Sequence, residues 1–338
     1  MAPGVEVLLS EDQVFLQGHP AEAEEVVLGG KVVVDLSEET KIKSLSVKLT
    51  GKSKVSWKYT YNGETQFSHA KRNIVKIHKP LLPQTNKHYT LSPGKHEFNF
   101  ELPFEGAFPE TVHVKNGYVQ YMLNVVMDRP FPRKKSTCSR EIQIIRSSFH
   151  RSDFHLEPIN IYDVWNGRIP YEITLPVKSF GPGDVIPVNI KHSPKDEGIS
   201  LNRVDCHLIE SITYRKPETS LFTVERRTLR LLTDAERFHG VLEKNLQLPI
   251  PTKSNIHIGC CTELIKIQHK LKMHFKVDLD EGEESFSVEF PIIIMSASNH
   301  DLHQILPVYT SEQPTNPYAR RMSLPPSYEH INLMATTP

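Results

Sequence analysis

The stretch IKIQHKLKMHFKVDL, residues 265–279, indicates the fold class by itself. Apolar side chains occupy every second position from Ile265 to Leu279, with His269 as the exception, and polar or charged side chains fill the positions between them. Successive side chains of a β-strand point to opposite faces, so this period of two predicts a strand with one buried and one solvated face. His269 falls on the apolar face, where we expect a core histidine satisfied by a neighbour and without a ligand role.

The same alternation recurs in shorter runs along the chain. These runs are 32–36, 45–49, 98–102, 119–125 and 286–290. Turn signals separate them, at Asn62-Gly63, Ser92-Pro93-Gly94, Asn116-Gly117, Gly181-Pro182-Gly183 and Gly282. A short segment around 233–237 is a candidate helix or, equally, a turn. Strands of this length with hardly any helix between them predict an all-β chain built of antiparallel sandwiches.

The alternation stops twice, and each stop predicts a boundary. No period of two is visible over 147–166, and a new series starts at Tyr171, so we expect one sandwich over 1–150 and a second over 151–298. Beyond Ser296 the chain is polar and repeatedly interrupted by proline, a composition in which neither strands nor helices settle. A disordered tail is therefore predicted over 299–338.

Composition and cysteine usage favour a cytoplasmic protein. The chain has 338 residues, and its 40 Lys and Arg balance 40 Asp and Glu, so contact with nucleic acid or anionic lipid would need a local patch. Residues 1–17 lack the pattern of a signal peptide, and no apolar run is long enough to span a bilayer. Four cysteines, unevenly spread, do not suggest a disulfide framework.

Two groups of segments carry a family resemblance. LSPGKHEFNFELPF at 91–104, FPET at 108–111 and GYVQYML at 117–123 resemble the signature of the arrestin N-terminal domain. FGPGDVIPV at 180–188 and VEFPI at 288–292 are similar to the arrestin C-terminal domain. The resemblance covers residues 5–296 and implies two immunoglobulin-like, arrestin-like β-sandwiches in tandem. The proline-tyrosine motifs of the tail, and the lack of an evident clathrin-binding box, make the chain look like an α-arrestin.

The resemblance implies an adaptor function. Such a protein recruits a HECT-type ubiquitin ligase with WW domains to membrane transporters or receptors, and so promotes their ubiquitination and endocytosis. It is expected to be cytoplasmic and recruited peripherally to the plasma membrane and endosomes. The alternative is a signalling scaffold of the same fold, serving a receptor or ambient-pH pathway without acting as a ligase adaptor. The charged cluster that holds β-arrestins inactive cannot be placed by a motif in this sequence.

The motif Pro325-Pro326-Ser327-Tyr328 predicts the ligase contact. Its two prolines preset a polyproline II helix, so little entropy is lost on docking, and Tyr328 supplies the aromatic anchor for a WW groove. A second string, Leu306-Pro307-Val308-Tyr309, has the L-P-x-Y form that the same ligases accept. Two weak sites on one flexible segment can bind tandem WW domains cooperatively. The alternative for this second string is a strand end that packs back onto the domain.

Ser323 follows Arg320 and Arg321 at the spacing that a basophilic kinase recognises. Phosphate on Ser323 would add negative charge beside the WW motif, which could block that contact or create a site for a 14-3-3 protein. The alternative is an unmodified linker.

Arg129, Arg133, Lys134 and Lys135 form a local basic cluster in a proline-containing loop. It could contact anionic lipid or the acidic or phosphorylated tail of a cargo protein. A solvated hairpin loop without a partner is the alternative.

The sequence carries no motif for catalysis, metal binding or a cofactor. Cys206-His207 and Cys260-Cys261 lack the spacing of metal ligands, and we expect buried structural thiols there. No signature of a serine hydrolase, zinc protease or P-loop occurs. A sandwich hydrolase or sugar-binding enzyme is therefore the least favoured hypothesis, and we expect a protein without a cofactor that is not an enzyme.

Overall fold

A computed structural model describes residues 4–11, 13–18, 20, 23–83, 88–147, 157–193, 199–234, 243–252, 256–279 and 282–296. Its regular elements are strands, apart from one turn of 3-10 helix at Pro217–Thr219. Of the residues described, no helix is long and apolar enough to cross a membrane. The prediction of an all-β chain is confirmed.

The first unit is a sandwich of two sheets. Its strands are β1 Gly4–Leu9, β2 Gln13–Gln17, β3 Val26–Leu36, β4 Thr40–Ile42, β5 Ser44–Tyr61, β6 Glu64–Pro80, β7 Tyr89–Leu91, β8 Gly94–Phe104, β9 Val112–Val114, β10 Gly117–Asp128 and β11 Ser136–Ser147. One sheet has the order β1-β3-β8, and the other has the order β2-β11-β10-β5-β6 with β9 added beside β10. A small pair, β4-β7, closes one end. Side chains from both sheets, including Val32, Leu49, Phe104 and Leu123, form one buried core.

The second unit repeats this plan. Its strands are β12 Ile159–Trp165, β13 Ile169–Leu175, β14 Ser179–Phe180, β15 Val185–His192, β16 Ser200–Lys216, β17 Leu221–Asp234, β18 Glu243–Pro249, β19 Cys260–Cys261, β20 Ile265–Leu279 and β21 Gly282–Ile294. The sheet β12-β13-β15-β18 packs on the sheet β14-β21-β20-β16-β17, to which β19 adds beside β20. Ile173, Ile190, Leu208 and Met273 lie in the core between them.

The alternation that predicted the strands matches their burial. In β20 the apolar positions from Ile265 to Val277 are buried, and the lysines between them are exposed or half-buried. His269 is buried as expected, with 2% of its surface exposed. The Asn62-Gly63 turn joins β5 and β6 with both residues in the left-handed region, at φ 50° and 79°, which suits a two-residue hairpin.

Gly51 in β5 is required by packing. A Cβ atom there would lie 2.6 Å from the ring of Tyr121, a buried residue on the neighbouring strand β10. Glycine therefore lets the ring of Tyr121 cover the strand in the centre of the core.

Three expectations differ from the structure. The second series of strands begins at β12, inside the 147–166 segment that showed no period of two, because none of the β12 side chains is fully buried: three are exposed and four are half-buried. The candidate helix near 233–237 is wrong where the chain is described, since Thr233 and Asp234 end β17; residues 235–237 lie outside the described part. Cys206 and Cys260 are buried as expected, but Cys261 is exposed.

The two sandwiches pack against each other. Apolar residues of the second unit, namely Ile212, Tyr214, Leu264, Ile265 and Ile267, join the buried core of the first. Arg72 of β6 bridges the units, with its Nε 2.7 Å from Oε1 of Glu263 and its Nη2 paired with Glu218. Burial of apolar surface across the contact favours a fixed arrangement of the two units.

Candidate functional site

The predicted basic cluster lies on one hairpin loop. β10 ends at Asp128, β11 begins at Ser136, and the loop between them carries Arg129, Arg133 and Lys134 together with Lys135. The loop stands at the end of the sheet where Asp128 is opposite Ser44, the first residue of β5. The structure thus brings the four predicted cations together at one corner of the first sandwich.

Local contacts compensate part of this charge. The Arg129 side chain turns back and donates to the carbonyl oxygen of Lys134, from Nε at 2.9 Å and from Nη2 at 2.7 Å. Arg133 Nη2 lies 3.5 Å from Glu38 Oε1, and Lys135 Nζ lies 3.4 Å from Asp128 Oδ2. The loop is therefore braced by its own side chains, and exposed ion pairs of this kind are weak and exchange readily for other anions.

Phe131 stands at the tip of the loop, with 96% of its surface exposed. The sequence pattern indicates the cations of this loop, but it gives no signal for the aromatic ring between Pro130 and Pro132. A fully exposed phenylalanine next to lysines and arginines presents an apolar body and positive charge on one surface, a combination that suits an interface between water and lipid headgroups.

A buried charge lies close to the junction of the sandwiches. The Arg146 guanidinium donates to the carbonyl oxygens of Gly18, Gly106 and Phe108 at 2.9, 2.7 and 2.5 Å. Glu110 Oε2 lies 3.7 Å from its Nε. Burial lowers the pKa of Arg146, and the Glu110 carboxylate opposes that effect. Arg146 thereby holds together two loops of the first unit, the one at Gly18 and the one that contains Gly106 and Phe108.

A second buried charge belongs to the second unit. Glu210 of β16 has 1% of its side chain exposed and accepts a hydrogen bond from the backbone N–H of His257 at 2.8 Å. His257 Nδ1 and Arg227 Nη2 each lie 3.1 Å from its Oε1, and His269 Nε2 lies 3.4 Å from its Oε2. Burial alone would raise the pKa of Glu210, but the hydrogen bonds from the two histidines outweigh it and hold the pKa well below its usual range.

A cleft of about 200 Å³ is lined by residues of both units, among them Arg146 and His257, a partner of Glu210. Its walls include Glu110, Arg146, His257 and Cys260. Burial raises the pKa of the Cys260 thiol, so at neutral pH this thiol is protonated and a poor nucleophile. The described residues contain no group of three His, Cys, Asp or Glu side chains that could hold a metal ion.

Both buried charges escaped sequence reasoning, although the alternation carried a signal for them. Glu210 occupies the inward phase set by Leu208 and Ile212, and Arg146 occupies the inward phase set by Ile142 and Ile144. A charge at an inward position needs a partner. The partners come from distant strands and loops, so their identity does not follow from local patterns.

The tail motifs lie outside the described residues. They comprise Leu306, Pro307, Tyr309, Arg320, Arg321, Ser323, Pro325, Pro326, Ser327 and Tyr328. Their roles stay predictions.

Comparison with known proteins identifies the family of both units. Residues 8–149 match the family model "Arrestin (or S-antigen), N-terminal domain", and residues 165–299 match its C-terminal counterpart. Among curated relatives, an arrestin domain-containing protein of Schizosaccharomyces pombe is 28% identical, over 86% of this chain and 51% of its own length. A provisionally named arrestin-related trafficking adapter of the same yeast is 25% identical, over 90% of this chain and 72% of its own length.

The name of one relative, from Aspergillus fumigatus, refers to a ubiquitin ligase. The "Probable HECT-type ubiquitin ligase-interacting protein creD" is 26% identical, over 87% of this chain and 52% of its own length. The chain spans about half the length of most of these relatives. Together with the two tandem sandwiches, these matches show that the chain belongs to the arrestin family, in its α-arrestin-like branch.

Proposed function

We propose that this protein is a trafficking adaptor that brings a WW-domain HECT-type ubiquitin ligase to membrane transporters or receptors, and so promotes their ubiquitination and endocytosis. The observation that carries the proposal is the presence of Pro325-Pro326-Ser327-Tyr328 on the same chain as two arrestin domains. A relative named for its interaction with such a ligase, and others named as trafficking adapters, support it.

The sandwiches would contact the membrane or the cargo, and the tail would contact the ligase. The two sandwiches form a packed body joined by apolar contacts and by Arg72. The basic loop with Arg129, Arg133, Lys134 and Lys135 would contact anionic lipid or an acidic or phosphorylated cargo tail, and Phe131 would add an apolar anchor. The segment 299–338 would hold the ligase. The protein would then act in the cytoplasm and bind peripherally at the plasma membrane and endosomes.

Regulation would lie in the same segment as the ligase contact. Ser323 stands two residues before Pro325, so a phosphate there would place its charge next to the WW motif. The phosphorylated segment would be released from the ligase and become available to a 14-3-3 protein.

Proximity labelling in the native cell tests the proposal. A labelling enzyme fused to the full chain should mark a HECT-type ligase together with transporters or receptors. The variant carrying Tyr309→Ala and Tyr328→Ala should lose the ligase and keep the cargo, because the sandwiches are unchanged. If the double variant still marks the ligase as strongly as the parent, the scaffold alternative takes precedence.

A further inference from the structure

The solvent face of β5 and β6 carries a row of lysines that the tail and the basic loop do not account for. In β5 the buried positions Val47, Leu49, Val55 and Trp57 alternate with exposed ones. Six exposed lysines lie on this outer side, and we call them the lysine face: Lys48, Lys52, Lys54 and Lys58 of β5, with Lys71 and Lys76 of β6. His69 and His78 lie on the same side.

No acidic side chain offsets this charge within the two strands. The only Asp or Glu in β5 and β6 is Glu64, beside the hairpin turn. The adjacent strand β10 contains only Asp128, at its far end, where it pairs with Lys135. Among the described residues, no carboxylate pairs with Lys48, Lys52, Lys54, Lys58, Lys71 or Lys76.

The second sandwich shows the usual arrangement for comparison. On its strand β20, Lys270 and Lys272 lie 3.9 and 3.4 Å from carboxylate oxygens of Glu289 on β21. Lys276 Nζ lies 2.5 Å from Glu283 Oε1. These three lysines therefore have carboxylates on the neighbouring strand, whereas the six lysines of the lysine face have no carboxylate partner among the residues described.

The pairing of β5 with β6 adds repulsion between lysines to the lack of carboxylates. Lys54 and Lys71 are directly opposite each other across β5 and β6. Like charges at opposite positions of a strand pair are destabilising, so this pair reduces the stability of the fold. A loss of stability of this kind is expected where positive charge is used to bind a partner.

One aromatic side chain stands at one end of the face. Phe67, near the β5–β6 turn, has 67% of its surface exposed. Lys58 lies opposite Phe67, with its ammonium 5.4 Å from the ring centroid. The end of the hairpin thus combines a cation with a ring that suits the boundary between headgroups and water.

The shape and chemistry of the face point to a broad anionic surface. From Lys48 to Lys58 the strand runs for roughly 33 Å, at about 3.3 Å per residue. Lysine presents a compact point charge on a flexible stem, whereas recognition of one phosphate at a fixed position favours the arginine fork. The one arginine of β5 and β6, Arg72, is already engaged by Glu218 and Glu263 of the second unit.

We propose that the lysine face binds the anionic lipid surface of a membrane, with Phe67 entering the headgroup layer. The inference rests on the proposed role at membranes. It extends that role by giving the first sandwich a docking surface of its own, separate from the loop that carries Phe131. Attraction of this kind weakens as salt screens the charges.

Binding of the purified full chain to lipid vesicles tests the inference without a ligase. Vesicles of phosphatidylcholine with about a quarter phosphatidylserine should bind the protein, and pure phosphatidylcholine vesicles should not. Each lysine near an anionic surface strengthens partition roughly fivefold. The triple change Lys52→Gln, Lys54→Gln and Lys71→Gln should therefore weaken vesicle binding by about a hundredfold.

A matched control removes the same charge elsewhere. The triple change Lys270→Gln, Lys272→Gln and Lys276→Gln takes three cations from the second sandwich, where they are already paired. It should alter vesicle binding by no more than about twofold. Thermal melting of both triple variants checks that each is folded.

Three outcomes would overturn the inference. Equal losses in both triple variants would mean that only net charge matters. Full binding by the first triple variant, lost on changing Arg133 and Lys134 to Gln, would assign the membrane contact to the loop. Binding of a soluble poly-glutamate peptide that needs the lysine face, without binding to vesicles, would assign the face to an acidic protein segment. In each case the loss of ligase labelling in the variant with Tyr309→Ala and Tyr328→Ala remains an independent test of the proposed function.

Discussion

Glu210 and His269 lie on adjacent strands of the second sandwich, with Glu210 Oε2 3.4 Å from His269 Nε2 and both side chains buried. His257 and Arg227 contact the same carboxylate from a loop and from the edge strand β17. A buried carboxylate with three basic partners ties these parts together, because removing it leaves its partners without compensation.

Glu210→Gln should destabilise the second sandwich. Breaking one partner of a buried charge cluster typically costs on the order of 3 kcal/mol. Chemical denaturation at neutral pH measures this loss. As a control, Glu97→Gln removes an exposed carboxylate that pairs with Lys31 and should cost less than about 1 kcal/mol. Equal losses in the two variants would contradict a special role for Glu210.

The pH dependence of stability gives a separate check on Glu210. Its pKa in the folded protein lies below the ordinary value of 4.5, so its contribution to stability is complete above pH 4.5 and is lost as the pH falls below that value. The gap in unfolding free energy between the parent and Glu210→Gln should therefore be constant near neutrality and narrow below pH 4.5. Denaturation curves across this range measure it. A difference in unfolding free energy that widens on acidification would contradict a lowered pKa of Glu210 in the folded protein.

Lys71→Glu should separate stability from membrane binding. It places a carboxylate opposite Lys54 and turns a repulsive cross-strand pair into an attractive one, worth about 0.5 kcal/mol. The variant should melt at a slightly higher temperature than the parent and bind anionic vesicles more weakly. Tighter vesicle binding by this variant would argue against the lysine face.

Gly51→Ala should be strongly destabilising. The added Cβ would meet the ring of Tyr121 at 2.6 Å, and overpacking a filled core typically costs about 1–3 kcal/mol. Gly63→Ala is the comparison: its Cβ would meet nothing within 4 Å, so only its left-handed conformation, at φ 79°, opposes the change. Chemical denaturation should show the larger loss for Gly51→Ala, and the reverse order would contradict the packing around Tyr121.

Phosphorylation of Ser323 should change the partner of the tail. A peptide covering residues 318–332 should bind a WW domain less tightly once Ser323 is phosphorylated, and should gain affinity for a 14-3-3 protein. Titration calorimetry with both peptides measures the two affinities. Equal binding of both peptides to both partners would remove Ser323 from the account.

The features that the sequence predicts are those with a strong local period. Alternation alone predicts β10 and β20, but it does not predict β12, in which no side chain is fully buried. The lysines of β5 belong to the same alternation of side chains that predicts its core. Recognising it required the pairing with β6, whose register shifts next to Gly51 and so cannot be counted from the turn. Ion pairs such as Arg72 with Glu263 join residues 191 positions apart and need the folded chain.

We expect the tail to recruit the ligase, with Tyr328 as the aromatic anchor of the contact. Tyr328→Ala removes the buried aromatic group of a small interface, a loss of about 2 kcal/mol or more, which lowers affinity at least about thirtyfold. Tyr309→Ala tests the second string. If the two strings act together on tandem WW domains, the double change should lose more than either single change, because the effective concentration of the second site is lost.

Calorimetric titration of the full chain with a purified fragment carrying tandem WW domains, paired with thermal melts of each variant, is the most direct measurement. We expect a strong loss of affinity in Tyr328→Ala, a greater loss in the double variant, and unchanged melting temperatures. WW affinity that stays the same in the double variant, at an unchanged melting temperature, would contradict it.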